Sequence, residues 1–180
     1  MLFSRLSACA AGAALSAAII AVPALVATQA SAQPRPDAGQ FRRYSKEVEC
    51  LAKGIYFEAR GEPISGQRLV AQVILNRVDS NYYPDSACDV VFQNDHMKNA
   101  CQFSFACDGL SDRITDRSAW RIAERIARIS LSCDANCRQS RDQLNRSTHY
   151  HAARVSPGWS RKLQRTGQIG NHVFYFTASM

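Results

Sequence analysis

The sequence predicts a mainly helical α+β domain with a small antiparallel sheet, closed by disulfides. Three observations carry this. Apolar residues recur at three- and four-residue intervals in several segments, the last aromatic run alternates instead, and six cysteines remain once an N-terminal leader is set aside. The chain has 180 residues with 46% hydrophobic and 21% charged content, as expected of one globular domain rather than a disordered or fibrous chain.

Residues 1–32 read as a secretory signal peptide. Arg5 precedes an Ala-rich apolar run from Ala8 to Ala27, and Ala30-Ser31-Ala32 offers an A-x-A cleavage site. A lipoprotein cut before Cys9 would leave most of the apolar run on the product, and Pro23 with many alanines makes a weak membrane anchor. The expected destination is therefore the periplasm or the exterior, with membrane attachment only if the leader is retained. Removing it takes away Arg5 and lowers the net charge from +7 to +6. This basicity suits any polyanion and selects no nucleic acid. In an oxidising compartment Cys50, Cys88, Cys101, Cys107, Cys133 and Cys137 form three disulfides. Six cysteines allow fifteen pairings. Joining near neighbours gives Cys101 with Cys107 and Cys133 with Cys137, which leaves Cys50 for Cys88.

Residues 33–44 carry two prolines and no apolar periodicity, so they read as a linker, with the domain occupying 45–180. The first helix buries Val48, Leu51, Ala52, Ile55, Tyr56 and Ala59 and ends at Gly61-Glu62-Pro63. A second, capped by Ser65, buries Leu69, Val70, Val73 and Ile74. A helical turn follows around Ser86 to Phe92, and the alternation of Phe103 and Phe105 before Asp108-Gly109 predicts a short hairpin strand. Asp116 caps a third helix whose apolar face is Ala119, Ile122, Ala123, Ile126 and Ala127. Residues 133–146 read as a stapled polar loop. THYHAARV is extended, Pro157-Gly158-Trp159 is a turn, and Ile169 to Thr177 is the aromatic strand.

Glu58 and Glu62 lie one turn apart in YFEARGEPISGQ. At 100° per residue Glu58 falls beside Leu51, at the margin of the apolar stripe, and its neighbours at three and four residues are Gly54, Ile55, Gly61 and Glu62, none cationic. A half-dry, unpaired carboxylate has its pKa raised, which suits a proton donor near neutral pH. Glu62 cannot serve as an opposing carboxylate of a two-acid glycosidase, because both side chains approach from one side. It is expected to orient the site or to bond backbone amides of the next helix. His149 and His151 share one side of a strand and could bind zinc, but oxidised thiols and the absence of an H-E-x-x-H helix argue against a metal. Tyr150 and Trp159 are the aromatics best placed to stack on sugar rings.

LAKGIYFEARGEPISGQRLVAQVILNRV, YYPDSACDVVFQ, CQFSFACDG, STHYHAARVSPGW and IGNHVFYF together resemble the SleB-type cell-wall hydrolases, over residues 46 to 176 and in order. The version with CQFSFACDG and THYHA is similar to the exported Gram-negative form. The resemblance implies a lysozyme-like or resuscitation-factor-like fold and cleavage of peptidoglycan between N-acetylmuramic acid and N-acetylglucosamine, often as a lytic transglycosylase. It implies Glu58 as the catalytic acid, Glu62, Gln67, Gln102, Phe103, His149, Tyr150, His151 and Trp159 as binding or orienting residues, and no metal or cofactor. The partner is the peptidoglycan glycan strand, met by a monomer. The rival expectation is a noncatalytic wall-binding protein on the same fold, and a zinc-dependent wall hydrolase is the third. Residues 133–146 depart from the family pattern.

Overall fold

The computed structural model describes residues 37–98, 100–138 and 144–177, so the leader predicted at 1–32 lies outside the described residues. Helix α1 spans Ala38–Ala59. It begins inside the segment expected to be linker, because the Asp37 side chain accepts from the Gln40 backbone N–H and the Gln40 side chain accepts in return, a reciprocal cap that starts the helix early. Helix α2 spans Ile64–Val78, with Pro63 rather than the expected Ser65 at its cap position. Proline fixes φ for helix entry and has no N–H to satisfy. Its β-branched residues are accommodated because α2 is buried on most sides, with Val70, Ala71, Val73 and Ile74 fully enclosed.

Helix α3 spans Ala87–Val91, within the helical turn expected around Ser86 to Phe92, and is capped by Ser86. Helix α4, Arg117–Ser132, is capped by Asp116, whose carboxylate accepts from the Ser118 and Ala119 amides. Ala123, Ile126 and Ala127 enter the core, but Ile122, assigned to the apolar face, is 37% exposed. Half-buried Trp120 supports the core instead, its ring edge-on to Tyr56 at 6.1 Å. Gly54 is where α1 meets its neighbours most closely. A Cβ there would lie 2.9 Å from Ile74 Cδ1 and 3.2 Å from Val91 Cγ2. Leu51, Ala52, Ile55, Val70, Val73, Val90, Val91 and Phe174 form the fully buried centre.

The segment around Phe103 and Phe105 is a 3-10 turn, Ser104–Ala106, and not the expected hairpin strand. The bridge between Cys101 and Cys107 holds their Cα atoms 6.1 Å apart across a separation of 6, whereas a strand of that length extends about 20 Å. Cys50 joins Cys88 across a separation of 38 and Cys133 joins Cys137 across 4, so all three pairs follow the near-neighbour scheme. The last pair braces a short helix, α5 (Ala135–Arg138), where a loop was expected, and Arg138 grips the Asp79 carboxylate with contacts of 2.7 and 2.6 Å.

Strands β1 (His149–Ala152), β2 (Gln164–Ile169) and β3 (His172–Phe176) form an antiparallel sheet in the order β1-β3-β2. Strand β2 was not anticipated. It is an edge strand of polar residues, with an irregularity between Arg165 and Gly167. Pro157-Gly158-Trp159 leads into a 3-10 turn, Gly158–Lys162. The register pairs Tyr150 with Phe174 and Ala152 with His172 on the face toward the helices, and His149 with Tyr175 and His151 with Val173 on the other. Among the described residues, no helix is long and apolar enough to cross a membrane.

Candidate active site

Glu58 stands in the last turn of α1 and is half-buried between that helix and the sheet. Tyr150 of β1 points at it and donates from Oη to Glu58 Oε2 at 3.2 Å. Burial pushes the Glu58 carboxyl above its usual range, and this outweighs the opposing pull of the Tyr150 hydrogen bond and the Arg77 charge. Tyr150 is pushed well above an ordinary phenol, first by burial and then by the Glu58 charge, so it stays a donor. Its ring rests 5.0 Å from His172 and 5.8 Å from Phe174.

Arg77, near the end of α2, is 3% exposed. Its Nε donates to Thr148 O at 2.8 Å, and its guanidinium lies 5.3 Å from the Tyr83 ring and 5.6 Å from Phe103. Its Nη1 is buried with no hydrogen-bond partner among the described residues. A buried cation without a carboxylate is costly, and cation–π contacts offset only part of that.

Three cavities meet at Glu58. The first, about 420 Å³, is lined by Glu58, Arg77, Gln102, Phe103, Tyr150 and His172 among others. The second, about 400 Å³, runs past Arg60, Gly61, Glu62, Arg154, Asn171 and His172. The third, also about 400 Å³, runs past Tyr56, Phe105, Asp108, Asp112 and Arg113. Glu58 borders all three, so one half-buried carboxyl stands where the cavities adjoin.

The other residues singled out from sequence fall into two groups. Gln102, Phe103, Tyr150 and His151 line the first cavity, and Glu62 lines the second. Glu62 does not bond the amides of α2. Its Oε2 accepts from the Asn171 N–H at 2.9 Å, in the turn between β2 and β3, because that turn folds back over the start of α2. Gln67 is buried and donates to Glu62 O at 3.0 Å, so it fixes the backbone beneath Glu62.

His149 and Trp159 lie elsewhere. The Trp159 ring packs 5.6 Å from His149, 5.5 Å from His151 and 5.5 Å from Tyr175, on the sheet face opposite Tyr150. Tyr150 and Trp159 therefore do not form one stacking platform. His149 is held by Thr148 Oγ1 at 2.9 Å and sits 3.4 Å from Tyr83 Oη, and its pKa is pushed down to about 4 by burial and then by Arg77. His151 is bound by Tyr175 Oη at 3.0 Å. Both imidazoles of the zinc reading thus spend their nitrogens on the protein. Among the described residues, no three His, Cys, Asp or Glu side chains converge to hold a metal ion.

Arg77 and His172 were not singled out as parts of this cleft. For Arg77 a signal existed, since it follows Val73 by four and Ile74 by three and so falls in phase with a buried stripe. His172 alternates with Phe174 on β3 but becomes part of the cleft only through pairing with β1.

A family model described as cell wall hydrolase matches residues 61–175, beginning three residues after Glu58. The chain is similar to a spore cortex-lytic enzyme of Oceanobacillus iheyensis, 47% identical over 129 residues, which is 71% of this chain and 41% of that protein. It is 29% identical over 129 residues to a spore cortex-lytic enzyme of Halalkalibacterium halodurans, covering 71% of this chain and 34% of the relative. The chain thus spans well under half the length of these relatives. Among solved structures it is similar to the catalytic domain of the germination-specific lytic transglycosylase SleB from Bacillus anthracis. That match has a TM-score of 0.54 at 25% identity and covers 72% of this chain and 93% of the other. The catalytic domain of Bacillus cereus SleB shares the fold, with a TM-score of 0.55 at 24% identity and coverage of 73% and 90%.

Proposed function

Because the chain belongs to the cell wall hydrolase family, we propose that it is an exported peptidoglycan glycosidase that cleaves between N-acetylmuramic acid and N-acetylglucosamine as a lytic transglycosylase. The observation that carries this reading is Glu58, a half-buried carboxyl with a raised pKa where three cavities meet. Its neighbour Glu62 is tied to the Asn171 amide and cannot act across the bond from it.

Protonated Glu58 donates to the glycosidic oxygen as the bond to the muramyl C1 breaks, and the substrate's own acetamido oxygen shields the electron-poor carbon. The resulting Glu58 carboxylate is steadied by the Tyr150 hydroxyl and the nearby Arg77 charge. It then removes the proton of the muramyl 6-hydroxyl, whose oxygen attacks C1. Glu58 is restored to its acid form, and the product carries a 1,6-anhydromuramyl end. Each proton lost by Glu58 returns to it, so no cofactor takes part in this scheme.

The test is digestion of purified cell walls by the mature protein and by Glu58→Gln. The wild type releases soluble fragments lighter by one water than hydrolytic products, and the variant is slower by about a hundredfold or more. Chelator leaves the rate unchanged, and so do Asp108→Asn and Asp112→Asn, the acids of the third cavity. Equal release by Glu58→Gln would remove Glu58 as the catalytic acid, and binding to walls without any release by the wild type would support the noncatalytic wall-binding alternative instead. Fragments of full hydrolytic mass would make the enzyme a hydrolase.

A further inference from the structure

The second cavity contains more positive character than the proton transfer uses. Arg60 and Arg154 both border it, and neither forms an ion pair among the described residues, where the pairs are Lys53–Glu49, His96–Asp95, Arg128–Glu124 and Arg138–Asp79. Arg60 lays its guanidinium over the Tyr56 ring at 4.9 Å, which holds the plane in place and leaves its N–H edge unspent. His172, 8% exposed, borders the same cavity, and its Nδ1 is buried without a hydrogen-bond partner among the described residues. The carboxylates alongside do not satisfy these donors. Glu62 is engaged by the Asn171 amide, and burial favours the neutral form of Glu58.

Two arginines and an unsatisfied ring nitrogen around one cavity next to the reacting group match a carboxylate ligand. We infer that Arg60, Arg154 and His172 form a carboxylate subsite that receives the acid group carried on the C3 arm of muramic acid, so that the cleft selects muramyl glycans over uncharged ones. This rests on the glycan-cleaving reading above. Every second sugar of such a strand bears a lactyl arm at C3, which ends in a free carboxylate or continues into an acidic peptide. A chain of N-acetylglucosamine alone offers no anion. With Glu58 at the scissile oxygen, the muramyl unit extends its arm away from the ring toward a neighbouring cavity, and the second cavity is the one that Arg60 and Arg154 border together, with His172 beside them.

The test measures binding rather than turnover, with Glu58→Gln as the parent protein so that ligands stay intact. Three tetrasaccharides are titrated at low salt: the N-acetylglucosamine oligomer, a muramyl glycan with free lactyl groups, and the same glycan with peptides attached. The muramyl ligands bind at least about tenfold more tightly than the uncharged oligomer. Adding Arg154→Ala or Arg60→Ala removes that difference and leaves the uncharged oligomer's affinity unchanged. A gain already present with free lactyl groups assigns the carboxylate to the lactyl arm. A gain seen only with peptides assigns it to the stem. Equal affinity for all three ligands overturns the subsite, as does an equal weakening of all three in the arginine variants. Since Arg60 and Arg154 are exposed, these variants fold. If the wild type cleaves no wall yet discriminates these ligands, the catalytic reading fails and the subsite stands.

Discussion

At the residue scale the behaviour of Glu58 is set by burial against two opposing influences, and each can be removed separately. Tyr150→Phe deletes the hydroxyl that favours the carboxylate, so the Glu58 pKa rises further and the alkaline limb of the pH–rate profile moves upward. The maximum rate falls by about tenfold, the worth of one charge-assisted hydrogen bond. A profile that stays in place would mean that Glu58 is not the acid being titrated. Stability follows from the same shift. The fold holds the Glu58 proton more tightly than the unfolded chain does, so this group's contribution is fully present below the usual carboxylate range and is lost as pH rises through the raised folded value. Glu58→Gln therefore melts above the wild type at pH 7, and the difference closes below about pH 4. Scanning calorimetry across that range checks both ends. The position of Glu58 was legible because helical phase and the lack of nearby cations are local properties. The task of Arg77 was not, since its acceptor, Thr148 O, lies 71 residues further on.

At the scale of elements, periodicity revealed α1, α2, α4, β1 and β3, and missed β2, whose residues before Ile169 are polar or glycine and so show no apolar alternation. It also misread Phe103 and Phe105, because a short disulfide loop can bury two alternate side chains without a strand. The turn between β2 and β3 shows how one sequence signal acquires meaning through a distant partner. Gly170 has a φ of +54°, and a Cβ there would sit 1.9 Å from Glu62 Oε2. Gly109 has a φ of +76° with nothing within 4 Å. Both alanine variants incur the left-handed penalty of about 1–2 kcal/mol, but only Gly170→Ala also displaces the Glu62 carboxylate from the Asn171 amide. Gly170→Ala is therefore expected to lower the melting temperature more than Gly109→Ala and to reduce wall cleavage as well. Equal melting temperatures would remove Glu62 from its role as the clamp on that turn.

At the scale of the whole molecule, two of the three disulfides have different tasks, one holding the fold and the other shaping the cleft. Cys50–Cys88 ties α1 to α3 across a separation of 38 and encloses both Glu58 and all of α2. Loop-closure entropy gives it about 4 kcal/mol, against about 2 kcal/mol for the separation of 6 at Cys101–Cys107. Replacing Cys50 and Cys88 together by serine should thus lower the melting temperature by about 10 °C or more while the remaining folded protein keeps its rate. The Cys101 and Cys107 double variant should do the reverse. Its stability loss is about half as large, but Cys101, Gln102, Phe103 and Ser104 line the first cavity, and Phe103 flanks the Arg77 guanidinium. Loosening that wall weakens substrate positioning, so cleavage falls well below what the folded fraction accounts for. Melting curves and initial rates taken on the same samples separate the two effects. If both variants lose rate only in proportion to unfolded protein, the short bridge is a staple of the fold and not a wall of the site.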